Sequence, residues 1–270
     1  MKLGIGSYAY AWAIGNANQT PANPMTAFDL VSRCSQLGVH VAQICDNLPL
    51  DKMSDADLDR LADHARKLKV DIEVGTRGID EAHLRRYLAL AKRFESPILR
   101  VVAGAAHAEP SAEAVISAIR GLLPDLAKAN IILAIENHDR FTTRTLAEVF
   151  DTLASRHVGL CLDTVNSFGC LEGPEIVVER LAKYVVCLHV KDFKIGRTAS
   201  TLGFLLQGTP AGQGQLNMPW LLGELRSAGK DVNAILETWP APEERIEQTV
   251  AKEDQWVAQS IQYLRTLIPN

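Results

Sequence analysis

The stretch Ile131–Phe141, with the sequence IILAIENHDRF, decides the fold of this 270-residue chain. It begins with an apolar run that is rich in isoleucine, a pattern typical of a strand buried on both faces of a sheet. The run leads directly into Glu136-Asn137-His138-Asp139. A carboxylate, an amide and an imidazole at the carboxyl end of a buried strand indicate a functional site.

Similar apolar runs recur along the chain, with helical patterns between them. The other predicted strands are Lys2–Gly6, Val39–Cys45, Val70–Val74, Pro97–Ala103, Val158–Leu162, Val185–Val190 and Ala234–Leu236. Eight strand–helix units of roughly 30 residues predict a (β/α)8 TIM barrel, an α/β fold whose sites lie at the carboxyl ends of the strands. Within the helix predicted in Ser111–Ala129, Pro124 is expected to cause a kink or a split.

An open doubly wound sheet is the alternative fold. That fold predicts a glycine-rich phosphate turn that opens a helix after the first strand. Here Gly4-Ile5-Gly6-Ser7 is followed by Tyr-Ala-Tyr-Ala-Trp, which is not such a turn. The barrel is therefore favoured, and because no linker or low-complexity tract divides residues 1–270, we expect one domain.

Composition and charge narrow the classes of function. The net charge of −4, from 28 basic and 32 acidic residues, argues against nucleic-acid binding and against an anionic membrane partner. The five cysteines form no CxxC pair, which fits a reducing compartment. The chain shows neither a signal peptide nor an apolar run of the ~20 residues that span a membrane. We therefore expect a soluble cytoplasmic protein.

Four potential metal ligands stand at or near the ends of the last four predicted strands: Glu136, Asp163, His189 and Glu237. In a barrel these ends meet at one face. Any one of these residues alone could be a loop hydrogen-bonding group or a core histidine, but buried carboxylates would repel one another unless a cation neutralised them. Three carboxylates and an imidazole suit one divalent ion, with Mn²⁺ or Mg²⁺ favoured and Co²⁺ or Zn²⁺ as alternatives.

Other polar and aromatic residues near the strand ends are candidates for substrate contacts. Arg77 could bind a carboxylate or phosphate in a bidentate manner, or could brace a loop through an ion pair. Lys191 shares the strand face of His189 and could stabilise an oxyanion, or pair with Asp192. His138 could bind a substrate hydroxyl or support a ligand, and Trp239 could supply an apolar wall.

A glycine-bearing apolar segment, Thr201–Gly214, is a candidate lid over the pocket. Its alternative is a plain surface loop. The leucines and Phe204 in this segment favour the lid, since such side chains are poorly placed in water.

The chain resembles the xylose isomerase-like barrel superfamily over its whole length. The resemblance rests on Ile135-Glu136-Asn137, Leu162-Asp163-Thr164, His189-Val190-Lys191-Asp192 and Leu236-Glu237. It implies a divalent metal on the four ligands above. It also implies that Glu136 and Glu237 exchange protons with the substrate on opposite faces of an enediolate, and that the protein is a homodimer.

Two departures from the superfamily pattern narrow the function. Asn166 stands where relatives often have a histidine, and an amide can orient a ligand or bind substrate but cannot carry a proton. The nuclease branch needs histidines on early strands for a three-zinc cluster. Here those strand ends carry Asp46-Asn47 and Thr76-Arg77, and His107 alone does not make such a cluster. The DNA-repair branch is therefore disfavoured.

Three functions remain open from the sequence. The first is a divalent-metal-dependent sugar isomerase or epimerase, in which Glu136 and Glu237 move protons through a metal-bound enolate or enediolate of a small keto sugar or sugar acid. The second is decarboxylation of a 3-oxo sugar acid, with Arg77 and Lys191 for the carboxylate. Here the chain also looks like the 3-oxo-isoapionate decarboxylases, whose resemblance includes Gly75–Gly78 and Gly208–Gly214. The third is a non-catalytic sugar-binding barrel.

Overall fold

The computed structural model describes residues 1–17, 19–104 and 109–269. Eight parallel strands close into a barrel in the order β1-β10-β7-β6-β5-β4-β3-β2, which confirms the predicted (β/α)8 fold. The barrel strands are β1 Leu3–Gly6, β2 Val41–Ile44, β3 Asp71–Arg77, β4 Ile98–Val102, β5 Ile132–Glu136, β6 Val158–Asp163, β7 Val185–Val190 and β10 Ala234–Leu236. A separate antiparallel pair, β8 Asp192–Arg197 and β9 Phe204–Thr209, follows β7.

Helices pack around the barrel. They are α1 Ala11–Ile14, α2 Ala27–Gln36, α3 Asp55–Leu68, α4 Glu81–Arg93, α5 Ala112–Ala129, α6 Thr143–Leu153, α7 Pro174–Leu181, α8 Met218–Ser227 and α9 Ile246–Leu264. Several begin at a side-chain cap, such as Ser54 at α3 and Asp80 at α4, whose oxygens accept a backbone N–H three residues on. No helix among the described residues is long and apolar enough to cross a membrane.

The alternation of side chains along the strands divides the interior into two regions. Side chains that point outward from the strands, such as Ala42, Leu133 and Leu188, belong to the main core between the barrel and its helices. Side chains that point inward form a small apolar cluster inside the barrel: Val41, Ile98, Ala134, Cys161, Cys187 and Ile235. Two residues further along each strand the same inward face becomes polar, because strand side chains repeat with period two. That polar layer holds Gln43, Arg100, Glu136, Asp163, His189 and Glu237.

Two local expectations differ from the structure. Strand β3 continues to Arg77, which pairs with Val102, so the strand ends three residues beyond the predicted Val74. Helix α5 runs through Pro124 as one element, so the expected split is wrong. The apolar face that α5 buries, including Ile119 and Leu122, holds the helix together across the hydrogen bond that proline cannot make.

The segment expected to be a lid forms part of a β-hairpin. Strands β8 and β9 pair from Asp192 with Thr209 to Arg197 with Phe204. Phe204 is 67% exposed and Leu202 is 90% exposed, so these side chains do not cover a pocket in this conformation. The hairpin reaches the site from its base, where Gly208 lies against Trp239 so closely that a Cβ there would meet the indole at 3.0 Å.

Candidate active site

The structure brings the four predicted metal ligands together at the carboxyl end of the barrel. The donor atoms of Glu136, Asp163 and His189 lie within 4.8 Å of one another, and all three residues are buried. Glu237 joins them through His189, whose Nδ1 is 3.3 Å from Glu237 Oε1 and 3.3 Å from Glu136 Oε2. The strand register explains the meeting, since Asp163 pairs with His189 across β6 and β7 and Glu237 directly follows β10.

Asp163 is held by its neighbours so that one oxygen faces the site. Its Oδ1 accepts the backbone N–H groups of Val165 and Asn166, both at 2.8 Å. The side chain of Asn137 binds the Asp163 backbone at both ends, accepting its N–H at 2.7 Å and donating to its carbonyl at 2.8 Å. Asn137, the last residue of the Ile135-Glu136-Asn137 motif, therefore fixes the backbone of the predicted ligand Asp163.

Lys191 lies inside the carboxylate cluster. Its Nζ is 2.9 Å from Asp163 Oδ2 and 3.0 Å from Glu237 Oε2. Burial by itself would lower the pKa of Lys191, but the surrounding carboxylates outweigh burial and raise it. For Glu237, burial acts to raise the pKa, and Lys191, His189 and Arg100 together outweigh it and lower the pKa.

The alternative pairing of Lys191 with Asp192 is not observed. The Asp192 carboxylate instead accepts backbone N–H groups from Gly212, Gly214 and Leu216, at 2.8 to 3.0 Å. Asp192 therefore fastens the segment after the hairpin to the end of β7, and leaves Lys191 to the site.

Arg100 is a site residue that sequence reasoning missed. Its buried Nε donates to Glu136 Oε2 at 2.5 Å, and its Nη1 lies 3.4 Å from Asp46 Oδ1. On the other side of the same carboxylate, Asn166 donates to Glu136 Oε1 at 2.8 Å. The sequence contained a signal for this position, since Arg100 is the only charged residue in the apolar strand Ile98–Val102. The outer face of such a strand packs on helices, so its arginine has to face the barrel interior.

Arg77 takes part in an ion pair at the edge of the site. Its Nε donates to Asp46 Oδ2 at 3.1 Å, and the Tyr8 hydroxyl donates to the same oxygen at 2.9 Å. The Arg77 side chain is 33% exposed and lines a cleft of about 170 Å³ beside Glu136 and His138. The bracing contact is therefore present, and the side chain also borders the space that a substrate would enter.

The two remaining candidates line different sides of the opening. His138 lies in the wall of the Arg77 cleft, with its Nδ1 2.5 Å from Asp139 Oδ1. Trp239 lines a second cleft of about 220 Å³ together with Trp12, Lys191 and Glu237. The Trp239 Nε1 is buried and has no hydrogen-bond partner among the described residues. His107 was considered above as a possible zinc ligand, and it lies outside the described residues.

The cluster fits a divalent cation on its own chemistry. Among the described residues, buried atoms without a hydrogen-bond partner include Asp163 Oδ2, His189 Nδ1 and Glu237 Oε1. Native structures seldom leave buried polar atoms unpaired without a reason, and an ion is one such reason. Of these atoms, Asp163 Oδ2 lies 2.9 Å from Lys191 Nζ, so Lys191 would compete with a cation there. His189 Nδ1 and Glu237 Oε1 lie 3.3 Å apart and are open to one.

Comparison with known proteins finds matches over most of the chain. The profile of the xylose isomerase-like TIM barrel family matches residues 31–267. The chain is 32% identical to a 3-oxo-isoapionate decarboxylase of Pectobacterium atrosepticum over 269 residues, which cover 100% of this chain and 97% of the relative.

Solved structures share the fold at low sequence identity. A D-psicose 3-epimerase, studied in the presence of D-fructose, superposes with a TM-score of 0.75 at 14% identity and full coverage of both chains. A xylose isomerase-like TIM barrel protein of Mycobacterium smegmatis, in complex with magnesium, superposes with a TM-score of 0.67 at 13% identity over 97% of each chain. The profile match and the full-length relative show that this chain belongs to the xylose isomerase-like TIM barrel family.

Proposed function

We propose that this protein is a divalent-metal-dependent decarboxylase of a 3-oxo sugar acid, of the kind that its Pectobacterium relative is named for. One observation carries the choice: both candidate acid–base glutamates are paired with cations. Arg100 binds Glu136 at 2.5 Å and Lys191 binds Glu237 at 3.0 Å. For Glu237 the neighbouring cations outweigh burial and lower the pKa, which suits a metal ligand better than a group that must gain and lose a proton in each turnover.

The metal ligands in this proposal are Glu136, Asp163, His189 and Glu237. Mn²⁺ or Mg²⁺ is favoured because three of the four ligands are carboxylates. When bound, the cation would supply Lewis acidity that polarises the ketone of the substrate. The second ketone-activating charge comes from this chain, because the Lys191 ammonium stands between Asp163 and Glu237.

The charges of the cluster favour an anionic substrate. Three carboxylates against Lys191 and Arg100 leave one net negative charge when His189 is neutral. A divalent cation would turn this into one net positive charge in a largely buried site, where electrostatic interactions are stronger than in water. A 3-oxo acid brings a carboxylate, and its decarboxylation moves that charge onto the ketone oxygen.

The chemical step balances with the groups of this chain and water. The bond from the α-carbon to the carboxylate breaks, CO₂ leaves, and the electron pair passes to the ketone oxygen to give an enolate. Lys191 stabilises the developing oxyanion and stays protonated between its two carboxylates. Water then donates a proton to the α-carbon as the ketone re-forms, and the hydroxide left behind combines with CO₂ as bicarbonate.

A ketose isomerase or epimerase is the second candidate. One observation favours it, namely that Glu136 and Glu237 lie at equal distances of 3.3 Å from His189 Nδ1, as two flanking proton carriers would. The shared fold of D-psicose 3-epimerase is compatible with it. A non-catalytic sugar-binding barrel would need no cation and would leave the three unpaired donor atoms unexplained.

The experiment loads the purified protein with Mn²⁺ and offers it 3-oxo sugar acids and neutral ketoses separately. We expect CO₂ release from the acids, removal of that activity by a chelator, and its return with Mn²⁺. Exchange of carbon-bound protons in ketoses without CO₂ release from any acid would establish the epimerase instead. Binding of sugars with neither reaction would establish the sugar-binding barrel.

A further inference from the structure

We infer that Glu73, acting through Gln43, sets the tautomer of His189 and thereby keeps Nδ1 free to bind the metal ion. Glu73 and Gln43 are then positioning residues, since neither touches the substrate. This inference rests on the proposed function, because it concerns one of the proposed metal ligands. It arises from a chain of buried hydrogen bonds that crosses the barrel interior.

The chain of hydrogen bonds begins at a group that fixes its direction. Glu73 is 2% exposed, and each of its carboxylate oxygens faces an amide. Gln43 Nε2 donates to Oε2 at 3.0 Å, and Asn233 Nδ2 donates to Oε1 at 2.7 Å. When Glu73 is ionised its carboxylate only accepts hydrogen bonds, so Gln43 then has to turn its nitrogen toward Glu73 and its oxygen away.

The orientation of Gln43 decides the state of His189. Gln43 Oε1 lies 2.6 Å from His189 Nε2, and an amide oxygen can only accept. The proton of the neutral imidazole therefore sits on Nε2, and Nδ1 carries the lone pair. That Nδ1 is one of the buried atoms that have no hydrogen-bond partner within the described part of the chain, and it lies 3.3 Å from an oxygen of Glu136 and of Glu237.

The strand register places the three residues for this purpose. Gln43 pairs with Glu73 across β2 and β3, so the amide and carboxylate lie side by side. His189 lies on β7 and Gln43 lies on β2, and the strands β10 and β1 stand between them in the sheet. Gln43 therefore reaches His189 across the barrel interior. Metal-binding histidines commonly give their second nitrogen to a carboxylate or carbonyl that fixes the tautomer. Here the amide of Gln43 on β2 accepts from the histidine, and its own orientation is fixed by the carboxylate of Glu73 on the neighbouring strand β3.

Removing the Glu73 carboxylate should release the amide of Gln43. If the amide rotated by half a turn, its nitrogen would face His189 and donate to Nε2. The imidazole proton would then move to Nδ1, and the lone pair would leave the ligand cluster. In Glu73→Leu we therefore expect the Mn²⁺ affinity to fall by about 10- to 100-fold, the usual cost of losing a partner of a ligating histidine.

An exchange of the two side chains separates this role from mere packing. In the double variant Gln43→Glu/Glu73→Gln, the carboxylate at 43 accepts from His189 Nε2 and from the amide at 73. The oxygen of that amide in turn accepts from Asn233, so the three hydrogen bonds that link Asn233 to His189 are restored. We expect this variant to bind Mn²⁺ within about 3-fold of the parent protein, since the tautomer is kept.

The experiment combines Mn²⁺ titration with ¹⁵N NMR of His189 in the metal-free protein at pH 10. The high pH is needed because nearby carboxylates outweigh burial and raise the pKa of His189 to about 9. The parent and the exchange variant should show the proton on Nε2, and Glu73→Leu should show a large Nδ1–H population. Asn233→Ala is the matched control, since it removes the other Glu73 contact and should leave the tautomer unchanged.

Three results would overturn the inference: an unchanged tautomer and affinity in Glu73→Leu, an exchange variant as weak as Glu73→Leu, or an equal effect in Asn233→Ala. Thermal unfolding of each variant identifies any that does not fold, and the exchange variant and Asn233→Ala then still decide. Failure of the proposed function looks different. A parent protein that binds no divalent ion removes the metal role, while the NMR signals still report whether Glu73 sets the tautomer.

Discussion

The barrel interior contains two groups of buried carboxylates that are stabilised in different ways. At the carboxyl end, Glu237 faces Lys191 at 3.0 Å, and cations lower its pKa although burial acts to raise it. Deeper in the barrel, Glu73 faces two amides, and burial raises its pKa to about 7. Residue type and burial are the same, so the neighbouring charges decide the proton affinity. Cationic neighbours lower the pKa of a buried carboxylate, whereas amides leave it raised.

The largest expected effect comes from neutralising the glutamates at the carboxyl end. Glu136→Gln and Glu237→Gln should each lower kcat/KM for the 3-oxo acid by at least about 10³-fold, because each loses a charged metal ligand worth several kcal/mol. Steady-state CO₂ release measures the effect, with circular dichroism as the test of folding. Glu179→Gln, on the exposed face of α7, is the matched control. Retained activity in either of these two variants would show that the substituted glutamate is not required for the reaction.

The second prediction separates the two roles of Lys191. Lys191→Met should lower kcat by about 10² to 10³, since it removes a charge that stabilises the oxyanion. The same variant should bind Mn²⁺ more tightly than the parent, because the ammonium no longer competes for Asp163 and Glu237. Titration of the metal-free protein measures the affinity, and Lys194→Met, in the exposed hairpin, serves as the control. Weaker Mn²⁺ binding in Lys191→Met would contradict the competition.

A smaller effect is expected at the edge of the site. Arg77→Ala should raise KM for an acid substrate about 10-fold, in the range for losing a hydrogen bond to a charged group. The binding of a neutral ketose should change little. The comparison of both ligands on one variant is the measurement, and Arg85→Ala, on the outer helix α4, is the control. Equal weakening of both ligands would show that Arg77 only braces Asp46.

The smallest effect concerns stability and the amide-bound carboxylate. Because the folded-state pKa of Glu73 is raised to about 7, the folded protein holds this proton more tightly than the unfolded chain does. The free energy of unfolding should therefore fall as pH rises from the unfolded pKa of 4.5 to the folded pKa of about 7, by up to about 1.4 kcal/mol per pH unit. In Glu73→Gln this part of the decline should disappear. Urea unfolding at several pH values measures this decline in both proteins. The same pH dependence in Glu73→Gln as in the parent would contradict the raised pKa of Glu73.

Glu253 provides the internal reference for that measurement. It is buried, accepts the backbone N–H groups of Trp12 and Ala13, and has its pKa raised to about 7, chiefly by burial. Its contribution has the same sign, so the Glu73→Gln protein should keep a residual decline. Only the difference between the two proteins reports on Glu73.

The fold and the ligand cluster were accessible from the sequence for a physical reason. Parallel strands bury both faces and so read as apolar runs, and a polar residue at the end of each run has to lie at the same end of a barrel. That reasoning places Glu136, Asp163, His189 and Glu237 together, and their donor atoms do meet. Their use as metal ligands remains a proposal.

The partners of these residues could not be predicted in the same way. Arg100 reaches Glu136 from the next strand, but Gln43 reaches His189 across the barrel. Contacts across the interior depend on stagger and side-chain length, which periodicity does not encode. The segment Thr201–Gly214 is expected from its apolar side chains to be a lid, but its residues Phe204–Thr209 pair with Asp192–Arg197 in a hairpin, so strand propensity can explain the same residues.

The central claim is that the carbon losing CO₂ receives one proton and that no other carbon-bound proton is exchanged. The most direct test is ¹H and ¹³C NMR of the Mn²⁺-loaded protein acting on a 3-oxo sugar acid in D₂O. We predict release of CO₂ and one deuterium at the carbon that carried the carboxylate, with no deuterium entering a neutral ketose offered in parallel. Deuterium exchange in the ketose with the acid left intact would contradict the account.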